Sequence, residues 1–453
     1  MRGMRMSLLV VLSGCGTHLA DLEDGEWLPG GDTTNRLLLG ANAFLMPAQN
    51  LNSENELDFY SGNGFFNQGW VQAPASTTAR DGLGPLFNAR SCSGCHFRDG
   101  KGVPPETGEA PFVGLLLRLS VEGEDGPEPH PVYGAQLQDQ ANPDVPIEAL
   151  PSVEWVEISG EYDDGTPYTL LEPHYTISDF SHEPMGDDLM FSPRIAPHMI
   201  GLGLLEAIPL ETMEALADPD DFDGDGISGR LQWEDTEDGL LPGRFGWKGD
   251  SPTVELQVGR AFAGDLGLTS RVVTEDDCTA YQETCLSETS GGEPEVDDNL
   301  FDLVTLYSRA VAVPVRRMAD DKTVLKGKKL FNDIGCASCH VPSHTTGDAA
   351  LEELEDQLIW PYTDLLLHDM GEGLADGRPV GEASGSEWKT PPLWGLGLVE
   401  DVVGQAYFLH DGRARTLEEA VLWHGGEAEA SRDEFLAFSA DERNSLLTFL
   451  EDL

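Results

Sequence analysis

Apolar residues return at helical spacing through the last third of the chain. In VLKGKKLFNDIGC (324–336), Val324, Leu325 and the stretch from Lys328 to Phe331 place apolar groups on a short amphipathic helix. SADERNSLLTFLEDL (439–453) opens with a capping box, Ser439 with Glu442, then sets Leu446, Leu447, Leu450 and Leu453 on one face. TLEEAVLWH (416–424) opens with another, Thr416 with Glu419, so a helix is predicted to start near Leu417. Leu417, Ala420, Val421 and His424 follow at i, i+3, i+4 and i+7, an apolar face ending on a histidine. The first half has a lead-in similar to 324–336 in GLGPLFNARSC, ending at Cys92. Over about 110–180 the texture changes. FVGLLLRLSVEG and VEWVEISGEYDDGTPYTLL, broken by Gly, Pro and Asp, predict a β-hairpin insertion. Nothing past residue 15 is a long enough apolar run to span a bilayer.

At 453 residues and 40% hydrophobic, the chain exceeds one ordinary core, so two domains or more are expected. The 27 basic residues stand against 81 acidic ones, a formal net charge of −54. That balance excludes attachment to DNA, RNA or an anionic membrane by charge alone. It reads as a solubilising acidic surface; steering of a cationic partner or capture of Ca²⁺ are the sharper readings. The N-terminus, MRGMRMSLLVVLSGC, puts Arg2 and Arg5 before a short apolar stretch that ends at Cys15. This is the pattern of a lipoprotein signal over 1–15, with a lipid on Cys15 as the one expected membrane contact. Residues 16–59 are expected to form a tether or extension, and the protein to sit in the periplasm or cell envelope. Export means an oxidising compartment. In DDCTAYQETC, Cys278 and Cys285 have no histidine beside them and read as a local disulfide, with a metal site as the alternative.

The remaining cysteines form two CxxCH motifs: Cys92, Cys95 and His96, then Cys336, Cys339 and His340. Two thiols three positions apart reach the two vinyl groups of one haem, and the adjacent histidine falls beneath the iron. Two covalently bound haem c groups are therefore expected. A thioredoxin-like dithiol would want a βαβ context and would leave both histidines unexplained. The halves match beyond these motifs. RIAPHMIGLGL (194–204) parallels KTPPLWGLGL (389–398), and FGWKGDSPTVELQVGRA (245–261) parallels FLHDGRARTLEEAVLWH (408–424). Trp247 then faces His410, Thr253 faces Thr416 and Ala261 faces His424. A helix before CxxCH and a closing C-terminal helix resemble the cytochrome c fold. The expected fold is mainly α: two tandem cytochrome c-like domains, 60–320 and 321–453, with a β-hairpin-rich insertion in the first.

The repeat makes His424 a candidate sixth ligand to the second iron; the alternative is a core histidine bonded to backbone or to a haem propionate. His410 lies in a turn beside Asp411 and Gly412 and is not expected to bind the same iron. In the first half Val254, Gln257, Val258 and Ala261 occupy the equivalent face, and alanine cannot ligate. The first iron then has an open side for a small oxidant, or takes a ligand from His174, His182, Met190, His198 or Met199. Elsewhere, DPDDFDGDGISGR carries D-x-D-x-D-G at Asp221, Asp223, Asp225 and Gly226, which suits the oxygen shell of Ca²⁺. Gln232 at the twelfth position excludes a full EF-hand, and a solvated acidic turn is the alternative.

From about residue 60 onward the chain resembles the bacterial di-haem oxidoreductases, a peroxidase family sometimes labelled thiol oxidoreductases. These are related to di-haem cytochrome c peroxidases and to the enzyme that matures the tryptophan cofactor of methylamine dehydrogenase. LGPLFNARSCSGCH, APHMIGLGLLEAIP, DFDGDGISGR, GRFGWKG, TDLLLHDMGEGLADG, TPPLWGLG and HDGRARTLEEAVLWHGGEA carry the resemblance. It implies hydrogen peroxide or another small oxidant at the first haem, and electrons relayed by the second. A cytochrome or cupredoxin donor, or a protein substrate, would be the partner, and a homodimer is admitted. It also implies an inter-haem relay role for Trp247, a distal glutamine role for Gln257 and a distal acid role for Asp265. Asp265 arrives two residues early and is aspartate where the pattern has glutamate; an exposed loop acid or helix cap is the alternative for it, and a packed core tryptophan is the alternative for Trp247. His424 stands where the pattern has methionine, which should lower the second haem's potential. That departure keeps open the oxidative tailoring of a partner protein. The rival from another class is a non-catalytic di-haem electron carrier. The thiol label finds no support, since each CxxC is consumed by haem attachment.

Overall fold

The helices foreseen around the second CxxCH are present in the computed structural model, which describes residues 19–105, 108–124, 126–236, 239–275 and 277–453. The 1–15 signal and Cys15 lie outside the described residues. Helix Lys322–Asp333 crosses the C-terminal helix Ala440–Asp452, whose Ser439–Glu442 capping box is formed. Val324 and Phe331 pack there against Leu446, Phe449 and Leu450. The crossing is close because Gly327 faces Ser445, and a Cβ on Gly327 would overlap the Ser445 carbonyl. The first half repeats the device with helices Ser53–Asn67 and Asp298–Ala310, where Gly62 faces the Leu303 carbonyl. GLGPLFNARSC is not the helical lead-in the sequence suggested. Leu86–Phe87 form a short strand paired with Gln140–Ala141, and Gly84 packs on the backbone of Gly267. The helix Ser53–Asn67 takes the place expected of that lead-in.

The structure corrects the fold class. With 30% helix and 18% strand it is mixed α and β, not mainly α. The strands form six small antiparallel sheets among the described residues, five of them two-stranded. Short ribbons such as Leu367–Asp369 with Glu387–Lys389 pin the loops between helices, and runs of two or three residues carry no periodicity to read. The longest ribbon lies in the insertion, with Leu150 opposite Ser178 through to Glu161 opposite Pro167. Its tip reaches the C-terminal half. Tyr162 joins the core of Phe331 and Phe449, its hydroxyl donates to Glu418 at 2.6 Å, and Arg443 bonds Asp164 at 3.0 Å.

The described part of the expected tether is packed. Glu26 is fully buried, accepting from Arg316 at 2.6 Å, Lys328 at 2.8 Å and the Tyr362 hydroxyl at 2.9 Å. Burial opposes its charge, but the Lys328 hydrogen bond and the Arg316 guanidinium hold its carboxyl below the usual range. Arg316 continues to Asp452 at 2.9 Å, so one ionic chain ties residue 26 to the last helix. Among the described residues no helix is long and apolar enough to cross a membrane.

Candidate functional site

Each CxxCH turn opens onto its own cavity. Cys92, Cys95 and His96 line the first, with Gln257, Ala261 and Asp265 from the helix Val254–Leu266. Cys336, Cys339 and His340 line the second, with His424. The two share a wall of Pro197, His198, Leu202, Phe245, Gly246 and Trp247. Trp247 therefore stands between them, its indole fixed by a 2.8 Å bond from Nε1 to the Ile195 carbonyl.

Three histidines share one arrangement. Nδ1 lies 2.7 Å from the Pro197 carbonyl in His96, 3.0 Å from that of Tyr362 in His340, and 2.7 Å from that of Ala420 in His424. A carbonyl can only accept, so each Nδ1 carries the proton and each Nε2 keeps its lone pair, the tautomer a metal requires. Burial pushes His96 and His340 down to about 4 and lowers His424, which keeps the rings neutral. The same burial pushes the Cys92, Cys95 and Cys336 thiols up to about 12, so none is a reactive thiolate. Two unbridged thiols and one oriented neutral imidazole on a largely apolar wall fit a haem c in each cavity.

His424 reaches its cavity by a route slightly different from the one expected. Thr416 caps the helix as foreseen, accepting from Glu419 N, but the helix ends at Leu422. The ring is held in the turn beyond it by Ala420. His410 is buried, stacked 3.8 Å over Trp388, and also lines the second cavity. On the first side, Gln257 and Asp265 lie about one turn before and after Ala261 on the same helical face. Asp265 is no surface acid: it accepts from Gln136 Nε2 at 2.9 Å, and burial raises its carboxyl. Of the loop ligands considered for the first iron, His198 and Met199 line the cavity. His174 sits on the exposed hairpin against Glu172, and neither His182 nor Met190 lines it.

In the acidic loop Asp218, Asp221 and Asp223 converge within 4.8 Å. Asp225 instead turns its carboxylate to Ile227 N at 2.9 Å, so Asp218 replaces it in the set. Cys278 and Cys285 are joined by a disulfide. Sequence reasoning missed His368, which lies 3.6 Å from Cys339 Sγ between Glu427 at 2.7 Å and Asp364 at 2.9 Å. Burial opposes its charge, yet the bonds to Asp364, Cys339 and Glu427 hold it up at about 12. TDLLLHDMGEG contains this histidine, but Glu427 arrives from far along the chain. Arg118 and Arg194 were missed too; both line the first cavity.

Two cavities, each with a CxxCH donor set and meeting at one tryptophan, define a protein built for two haems. The chain belongs to the family described as "Di-haem oxidoreductase, putative peroxidase", which matches residues 28–115 and 163–453. Two haems and oxidoreductase chemistry follow from that membership. The unmatched stretch, 116–162, falls within the insertion. No curated protein matches the chain.

Proposed function

We propose that this protein is a di-haem c-type peroxidase of the periplasm or cell envelope, reducing hydrogen peroxide in its first cavity with electrons passed through the second. Cys92 and Cys95, and Cys336 and Cys339, would hold the haems as thioethers, and His96 and His340 would be iron ligands. Bound there, the haems would supply iron that takes up a peroxide oxygen and passes single electrons. The chain's own residues do the rest. His424, its Nδ1 committed to the Ala420 carbonyl, would offer Nε2 to the second iron, while Ala261 offers no donor on the first side. Gln257 offers an amide to orient a bound peroxide. Asp265 carries a proton from one oxygen to the other, the work of a general acid and base. Trp247 bridges the two cavities. A cytochrome or cupredoxin would donate electrons, Asp218, Asp221 and Asp223 would take Ca²⁺, and a lipid on Cys15 would anchor the chain.

The observation that carries this reading is the inequality of the two cavities: an oriented imidazole at His424 and a methyl group at Ala261. Electron paramagnetic resonance of the oxidised holoprotein tests it. A high-spin ferric signal from one haem and a low-spin signal from the other are expected. Two low-spin signals that persist on partial reduction and Ca²⁺ addition would overturn it. They would favour a non-catalytic electron carrier, in which His198, whose buried Nδ1 has no partner among the described residues, or Met199 closes the first iron.

A further inference from the structure

Buried cations elsewhere in the described residues have a carboxylate. Lys248, Arg316, Lys328, Arg413 and Arg443 each meet one at between 2.6 and 3.0 Å. Partners are in surplus, with 81 acidic residues to 27 basic ones. Three buried cations depart from this, and all three line a cavity. In the first, Arg194 donates from Nε to Ser192 Oγ at 3.1 Å and meets Asp250 only loosely, at 3.5 Å from Nη1; its buried Nη2 has no partner among the described residues. In the second, Lys389 reaches nothing beyond the neighbouring Thr390 carbonyl, at 3.4 Å, and feels Asp364 and Asp250 only from a distance. Lys101, on the same wall, makes no ion pair among the described residues. Its Nζ stands 5.7 Å from the centre of the Trp247 ring and 5.4 Å from that of Phe408.

The internal repeat puts two of these cations in register. Arg194 opens RIAPHMIGLGL and Lys389 opens KTPPLWGLGL, and without a gap Pro197 then faces Pro392. Arg194 lies at the end of the strand Met190–Ile195 and Lys389 ends the strand Glu387–Lys389. Each half therefore aims one buried cation into its own cavity from the same place. Each cavity also has a second cation without a carboxylate. Strand pairing sets Arg118 opposite Ser192, so Arg118 and Arg194 share one face of their sheet on the first wall. Lys101 accompanies Lys389 on the second. Arg244, also on the second wall, is spent on the Pro242 and Ile208 carbonyls. A charge buried in an apolar wall needs a counter-charge, and a haem brings two carboxylates, its propionates.

We propose that Arg194 and Lys389 are equivalent haem-propionate anchors, one in each cavity, and that Arg118 and Lys101 take the second propionate of the first and second haem. This goes beyond the peroxidase reading and rests only on a haem in each cavity. Each anchor is a positioning residue. Its charge offsets a carboxylate close to the iron, which favours the reduced haem and raises its potential. Lys101 belongs to the loop just after His96, so the second haem is held in part by the loop that carries the first haem's ligand.

The test uses the full-length holoprotein with Lys389→Met, Lys389→Arg, Arg194→Met and Arg194→Lys. The midpoint potential of each haem is read by redox titration, the two haems being followed through their separate paramagnetic resonance signals. Lys389→Met is expected to lower the potential of one haem and Arg194→Met that of the other, each with a smaller shift in its neighbour. The charge-keeping variants, Lys389→Arg and Arg194→Lys, should stay near wild type. Unmoved potentials in the methionine variants, equal shifts in the charge-keeping ones, or both haems shifting alike would overturn the anchors. Two haems with unmoved potentials would sink the anchors alone; fewer than two haems in wild type would sink the reading of the cavities and the anchors with it. If a methionine variant does not fold, Lys101→Met or Arg118→Met decides for that cavity by the same readout.

Discussion

His424 separates the two cavities at the level of a single side chain. Its Nδ1 is committed to the Ala420 carbonyl, so removing the ring costs one backbone contact and frees the cavity face. His424→Ala should convert the second haem's low-spin signal to high-spin, and added imidazole should reverse the change. A signal that stays low-spin without imidazole would assign the sixth position to another group lining that cavity, such as His410 or Met370. The residues legible in the sequence were those whose chemistry is written in local spacing. CxxCH is such a case, because one haem dictates the distance between two thiols. His368 was illegible because its meaning lies in Glu427, which meets it only through the fold. Asp265 was half legible: its place shortly after Gln257 was readable, but its partner Gln136 comes from the insertion.

Among the elements, those with a strong cap and a continuous apolar face were read correctly, as with Ala440–Asp452. The helix Ser53–Asn67 was not foreseen, because its buried face of Phe59, Gly62 and Phe66 includes a glycine. That glycine is the signal that was available. Gly62 and Gly327 each let a helix approach a neighbour's backbone, and the pairing recurs in both halves. Gly→Ala on an exposed helix stabilises it, by about 1 kcal/mol. At Gly327 the added methyl would meet the Ser445 carbonyl, which cannot rotate away. Gly327→Ala should therefore destabilise the C-terminal half by about 1–3 kcal/mol, the usual cost of overpacking. Thermal melts followed by circular dichroism in the haem absorption band would detect it, and a raised melting temperature would rule the close crossing out.

For the whole molecule, stability against pH joins its buried acids to the net charge of −54. Glu148 keeps its proton up to about 8 when folded, against an ordinary 4.5. Between those values the folded chain binds more protons than the unfolded one, so this group's contribution to the unfolding free energy falls as pH rises. Asp139, Asp265 and Asp277 have the same sign. The buried histidines act oppositely. His198 and His410, which are not among the assigned iron ligands, are pushed below their ordinary 6.5, so each favours the folded state increasingly as pH climbs toward that value. Above it their contribution is complete and the raised acids, Asp99 among them, set a decline toward about pH 8. Lowered carboxyls such as Glu26 and Asp411 lose their stabilisation only as pH falls below the ordinary carboxylate range. Glu148→Gln removes one acid and no histidine. It should flatten the decline between about pH 5 and about pH 8 by on the order of 3 kcal/mol, each pKa unit being worth about 1.4 kcal/mol. Denaturant midpoints for wild type and variant across that range are the measurement, repeated in added salt. Salt screens the exposed acidic surface but leaves buried groups little affected, so the difference between the two chains should survive it. Parallel curves would mean that Glu148 is ionised in the folded protein.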